Sequence, residues 1–117
     1  MQQARRGRSL TLADAAPAFA ALGDATRLRI VMRLGRDGPL SISRLTDDSH
    51  ITRQAMTKHL RALEHARLVS SERSGRERLW QLQQHGLREV RAYLDEISGQ
   101  WDSALERLRS LVERSKP

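Results

Sequence analysis

The chain has no cysteine among its 117 residues. That excludes disulfide staples and thiolate metal sites, and it fits a reducing compartment. Aromatic residues are scarce as well: two Trp, one Tyr and one Phe, or 3% of the chain. Any core must be built mostly from Leu, Ile, Val and Ala, a palette that favours helices over a β-sandwich. No apolar run approaches the roughly 18 residues of a membrane span. The basic N-terminus has no apolar segment behind it of the kind a secretory signal carries. The expectation is a cytoplasmic protein without membrane contact. A P-loop, a G-x-G-x-x-G turn, an H-E-x-x-H pair and a nucleophile elbow are all missing, so no enzyme is expected. The length suits one domain with a modest core. No repeat or linker divides the chain, so residues 1–8 read as a polar, basic, disordered arm and residues 9–117 as the domain.

What the chain has is a localised charge. The formal net charge is +7, and all of it arises in two places: +3 within residues 1–10 and +4 within residues 52–78. The remaining segments, 11–51 and 79–117, are each neutral. A uniformly basic protein would indicate only loose attraction to polyanions. A basic patch on a neutral scaffold indicates a polyanion-binding face.

The order of elements follows from spacing and punctuation. Leu12, Ala16, Phe19 and Ala20 recur at helical spacing after Ser9 and Thr11, either of which can cap. Pro17 falls inside this run and can move the helix start to itself. Asp24 caps a second helix with Leu28, Val31 and Leu34 on one side and Ile30 beside them, ended by Gly35 and Gly38-Pro39. Ser41 caps a short third helix containing Ile42 and Leu45. After a turn at residues 47–50, Thr52 caps a fourth helix that runs to about Ala66. Two extended runs, 68–73 and 76–82, flank Ser74-Gly75 and read as a β-hairpin. Gly86 interrupts the pattern, and a long helix runs from Leu87 to about Arg114. The fold class is mainly α: a winged helix-turn-helix of about five helices with a two-stranded hairpin wing.

The fourth helix divides cleanly on a wheel of about 100° per residue. Ala55, Met56, Leu60, Ala62, Leu63 and Ala66 occupy one arc, with His59 among them. Arg53, Gln54, Thr57, Lys58, Arg61 and His65 lie opposite. Gln54 suits an adenine edge, Arg53 or Arg61 a guanine, and Thr57 several bases. Lys58 suits a phosphate. A recognition helix enters the major groove by its first turns, where three of these residues stand. In the hairpin, Arg73, Arg76 and Arg78 surround the turn and suit an adjacent minor groove or its phosphates. Together with the capping Thr52, these nine residues are the candidate contacts to double-stranded DNA. His59, alone on an apolar arc, reads as a hydrogen-bonded core or edge residue rather than a metal ligand, and a phosphate at the rim stays within reach of its ring.

The last helix carries Val90, Leu94, Ile97, Trp101, Ala104, Leu108 and Leu111 at alternating spacings of four and three, widened by Tyr93, Leu105 and Val112. That is an a/d seam longer than so small a domain can bury internally. A second copy is the simplest partner. A homodimer would set two recognition helices about one turn apart on a duplex, reading an inverted repeat. The alternative, of a different class, is a protein-interaction module whose basic patch is incidental. RNA is a weaker partner, because the fourth helix has no aromatic stacking residues.

The stretch from Leu22 to Leu82 resembles the ArsR/SmtB family of winged-helix repressors. The matching pieces are Leu22-Gly23-Asp24-Ala25-Thr26-Arg27-Leu28-Arg29-Ile30, the run from Gln54 to Leu63, Leu68-Val69 and Gly75-Arg76. The resemblance implies a homodimer formed through the first and last helices, so that Leu12 and Phe19 join the seam residues at the interface. It also implies an operator whose binding represses transcription, often with release by an inducer. On it, Gln54, Thr57 and Lys58 carry over as recognition-helix contacts and Arg76 as a wing contact. The chain departs from the family's metal sensors: Ser41 and Ser43 stand at the paired-cysteine positions, and a hydroxyl is a poor ligand for soft metals. The last helix has Asp95, Glu96 and Asp102 but no histidine after His85. His85 and Glu89 supply two ligands, which do not make a zinc site. No metal and no cofactor are expected.

Overall fold

Three short polar side chains start the helices that position everything else. In the computed structural model, which describes residues 12–115 and the side chains of residues 15–115, Asp24, Ser41 and Thr52 all have extended backbone. Each accepts a hydrogen bond from the backbone N–H three residues on: Arg27 at 3.0 Å, Arg44 at 3.2 Å and Ala55 at 3.0 Å. Each satisfies one of the donors that a helix start leaves unpaired. The elements are α1 (Leu12–Leu22), α2 (Ala25–Asp37), β1 (Leu40–Ser41), α3 (Ile42–Asp47), α4 (Arg53–His65), β2 (Val69–Ser74), β3 (Glu77–Leu82) and α5 (Gln84–Ser115). Among the described residues this is a mainly helical winged helix-turn-helix with five helices. The sequence reading is extended in one respect: the hairpin belongs to a three-stranded antiparallel sheet of order β1-β3-β2, with Leu40 opposite Trp80 and Ser41 opposite Leu79.

Helix α1 runs through Pro17 rather than starting there. The ring removes one backbone donor. Burial of Ala15, Ala18 and Ala21 against the rest of the domain offsets that loss. The proposed caps Ser9 and Thr11 and the basic arm at 1–8 lie outside the described residues, as does the side chain of Leu12.

Two glycines read as helix breakers lie inside helices. Gly35 belongs to α2, which ends only where Gly38 takes φ +79° and donates to the Leu34 carbonyl at 2.9 Å. A Cβ on Gly35 would come within 3.3 Å of Leu82 Cδ1, so the bare backbone lets the hairpin lie close to α2. Gly86 sits in the first turn of α5 and is buried. Leu28, expected on the inner side of α2, is 44% exposed; the buried face is Ile30, Val31 and Leu34.

The core gathers around the inner face of α4. Met56, Leu60 and Leu63 are fully buried together with Leu68 and Val69, which open the hairpin, and Trp80 closes the cluster from β3. Burying each large aliphatic side chain is worth about 1.5–3 kcal/mol, so the inward arc of α4 fixes which face is left outside. None of the described helices is long and apolar enough to cross a membrane.

Candidate nucleic-acid interface

With Met56, Leu60 and Leu63 turned inward, the opposite face of α4 is presented to solvent. Thr52, Arg53, Gln54, Lys58 and Arg61 are exposed, and Thr57 is half-buried, its hydroxyl donating to the Arg53 carbonyl at 2.9 Å. His59 is half-buried, with Nδ1 3.4 Å from Arg27 Nη1, while Arg27 Nε donates to the Ala21 carbonyl at 2.8 Å. The histidine therefore helps to join α4 to α2 and the end of α1.

The wing is placed by sheet register. Ser74 pairs with Glu77, which leaves Gly75-Arg76 as the two-residue loop, shifted by one from the Ser-Gly turn of the sequence reading. Gly75 takes φ +65° at the first loop position, where hairpin turns call for glycine. Arg76 is thereby held at the tip. Arg73 lies directly opposite Arg78. Like charges across an antiparallel pair are destabilising. A sequence that keeps them is giving up hairpin stability for a concentrated positive charge.

These two faces meet. A cleft of about 300 Å³ between α4 and the wing is lined by Arg53, Thr57, Arg61, Arg73, Arg76 and Arg78, with Ser43 and Glu77 beside them. Six of the nine candidate contacts thus share one cleft. Gln54 and Lys58 stand exposed on the adjoining stripe of α4, and Thr52 stands at its start. Within the face, Arg53 Nη1 donates to Ser43 Oγ at 3.1 Å, Arg78 Nη1 donates to Ser71 Oγ at 2.9 Å, and Arg61 pairs with Glu64 at 3.6 Å. Among the described residues, no side-chain hydrogen bond or ion pair engages Gln54, Lys58, Arg73 or Arg76.

Sequence reasoning missed Ser43 and Glu77. Ser43 ties Arg53 to α3, and Glu77 places one carboxylate among five arginines of the cleft. The Ser43–Arg53 pair spans ten positions and two helices, so no local pattern announces it. Ser41 and Ser43 both have hydroxyl work: Ser41 caps α3 and Ser43 accepts a hydrogen bond from Arg53. Among the described residues, no three His, Cys, Asp or Glu side chains converge as a metal site. His85 Nε2 lies 3.8 Å from Glu89 Oε2 as an isolated pair on α5.

Comparison with known proteins decides the family. A model described as a helix-turn-helix domain matches residues 22–72. The HTH-type transcriptional regulator Rv2034 of Mycobacterium tuberculosis is 38% identical over 96 residues, covering 82% of this chain and 86% of that protein. The solved structure of an ArsR-like transcriptional regulator from Rhodococcus sp. RHA1 is 36% identical, with a TM-score of 0.74 over 85% of this chain and 92% of that one. The chain belongs to the ArsR/SmtB family of winged helix-turn-helix transcriptional regulators. It is, at that level, a DNA-binding regulator of transcription, and its relatives are regulators rather than enzymes. A further ArsR/SmtB relative, the HTH-type transcriptional repressor SmtB of M. tuberculosis, is 33% identical over 85 residues, or 73% of this chain and 61% of that protein.

Proposed function

We propose that the protein is a homodimeric repressor that binds an inverted-repeat operator, with α4 in the major groove and the wing tip on the flanking phosphates or minor groove. The observation that carries this is the single arginine-lined cleft between α4 and the wing, with Gln54 and Lys58 unengaged beside it. In this reading Gln54, Arg53, Arg61 and Thr57 address base edges, and Lys58 holds a phosphate. Thr52 presents the first turn, and Arg73, Arg76 and Arg78 supply the wing's charge. The sign of regulation is supported by the likeness to the M. tuberculosis repressor. Dimerisation is supported by the apolar seam on α5, exposed at Leu94, Ile97, Trp101, Leu108 and Leu111. The domain comprises residues 9–117, with the basic residues 1–8 as an arm.

The two kinds of contact separate by experiment. Arg76→Ala weakens binding to every duplex alike and lowers the salt slope of log K by about 1. Gln54→Ala costs roughly 1–3 kcal/mol at one base position and leaves binding to random DNA nearly unchanged. Fluorescence anisotropy titrations over a range of salt concentrations read both. Parent-like behaviour of both variants on operator and random duplex would remove these residues from the interface.

A further inference from the structure

A second cavity lies behind the helix-turn-helix, away from the arginine cleft. It has a volume of about 380 Å³ and is walled by α2, α3, the turn at residues 48–51 and the inner face of α4. That size falls in the range of small-molecule sites, which combine an apolar body with a few placed polar groups. Here the apolar wall is Ile30, Leu45, Ile51 and Met56, and the polar groups include Arg29, Arg33, Asp48 and His50. Leu45 and Met56 are each 2% exposed, so the floor belongs to the core.

The charges at this rim are uneven. Arg33 is engaged twice, by Asp37 at 3.3 Å and by Asp48 at 3.0 Å. Arg29, one helical turn earlier on the same face of α2, has no hydrogen-bond or ion-pair partner among the described residues. The rim therefore offers one guanidinium without an ion-pair partner among the described residues above an apolar floor, with a second beside it held by two carboxylates, of which Asp48 is largely in water. That is the arrangement for a molecule with one anionic end and one apolar end.

The position of the cavity gives an occupant leverage. Among the described residues, the Arg33–Asp48 pair is the ion pair that ties α2 to the turn between α3 and α4. A ligand carboxylate competes with Asp48 for Arg33. The wall residue Ile51 immediately precedes Thr52, the cap of α4, and Met56 is part of α4 itself. An occupant thus touches both the turn that aims the recognition helix and the helix's own buried side.

We propose that this cavity is an effector site for a small amphipathic monocarboxylate, an aryl or branched alkyl acid, and that its occupancy lowers affinity for DNA. The carboxylate sits on Arg29 and Arg33, and the apolar body sits on Ile30, Leu45, Ile51 and Met56. The regulatory half rests on the DNA-contact reading of α4; the binding half does not.

The test begins with calorimetric titration of the full chain, free of DNA, with phenylacetate, phenylbutyrate and 3-methylbutyrate, against their neutral amides. The expected result is saturable binding of at least one acid, at least about tenfold tighter than its amide. Arg29→Ala, which alters an exposed residue, and Ile51→Trp, which fills the cavity, each weaken that binding by about tenfold or more while the helical circular dichroism is retained. Anisotropy on an operator duplex then shows a drop in affinity when the acid is saturating. No acid binding at millimolar concentration, or equal binding by the parent and both variants, overturns the site. Acid binding with unchanged DNA affinity overturns the regulatory half alone. Failure of the ligand-free parent to bind any duplex counts against the DNA-contact reading, and the calorimetry still decides the site.

Discussion

Arg67 shows how single backbone positions hold the wing to the recognition helix. It has φ +62°, the only positive value among the described non-glycine residues. Its N–H reaches the Glu64 carbonyl and that of Leu68 reaches Leu63, both at 2.9 Å, a helix-ending pattern that packs Leu68 on Leu63. The Arg67 carbonyl in turn accepts from Gly86 N–H at 2.8 Å. A Cβ on Gly86 would lie 2.6 Å from that same oxygen, with backbone on every near side. Gly86→Ala is therefore expected to destabilise the protein by about 1–3 kcal/mol in urea unfolding. Gly99, in open space on the same helix, should behave oppositely, with Gly99→Ala raising stability by about 0.5–1 kcal/mol. Asp24 sets a pH dependence. The Arg27 backbone N–H that its carboxylate accepts, and secondarily that of Thr26, hold it below the usual carboxylate range. A lowered folded value means that its contribution is complete above the ordinary value of about 3.9 and is lost as pH falls through the folded one. In thermal melts below about pH 4, Asp24→Asn should lose less stability than the parent, because Asn caps without titrating.

At the scale of elements, the wing carries a cost that the proposed DNA contact explains. Arg73 faces Arg78 across the hairpin. Arg73→Thr should stabilise the domain by about 0.2–1 kcal/mol. The same change should weaken DNA binding, so a variant that is both less stable and weaker on DNA would contradict the trade. The recognition helix was legible in the sequence because its signals agree: Thr52 caps it, Met56, Leu60 and Leu63 repeat at helical spacing, and its polar residues share the other arc. The hairpin was legible from its glycine, although the loop centres on Gly75-Arg76. Strand β1 was not, since two residues after a Gly-Pro, the second of them the cap of α3, carry no periodicity, and only the pairing with β3 makes them a strand. Gly35 and Gly86 read as breakers because a sequence shows glycine's low helix propensity. It does not show Leu82, which would crowd a Cβ on Gly35, or the Arg67 carbonyl, which leaves no room for one on Gly86. The helix face and the wing were each visible as charge, but their meeting in one cleft is a tertiary fact.

At the scale of the molecule, α5 is the feature that a single chain does not use up. Its 32 residues extend about 48 Å at roughly 1.5 Å each, against molecular extents of 73 × 39 × 22 Å. The near end is occupied: Val90 packs on the core, and Tyr93 meets Phe19 edge-on at 5.8 Å. Beyond it Leu94, Ile97, Leu108 and Leu111 remain about half exposed, Trp101 is 65% exposed, and Ala104 lies between them. If a second copy covers this seam, the double substitution Ile97→Asp with Leu108→Asp should give a folded monomer in sedimentation velocity. Its affinity for a two-half-site duplex should fall to that for a single half-site. The most direct test of sequence-specific DNA binding by a homodimer is selection of bound sequences from a random duplex pool by the 117-residue chain. A homodimeric reader of DNA should enrich an inverted repeat whose half-sites lie about 10 base pairs apart, centre to centre. Recovery of no preferred sequence at moderate salt, or of an isolated half-site alone, would contradict it.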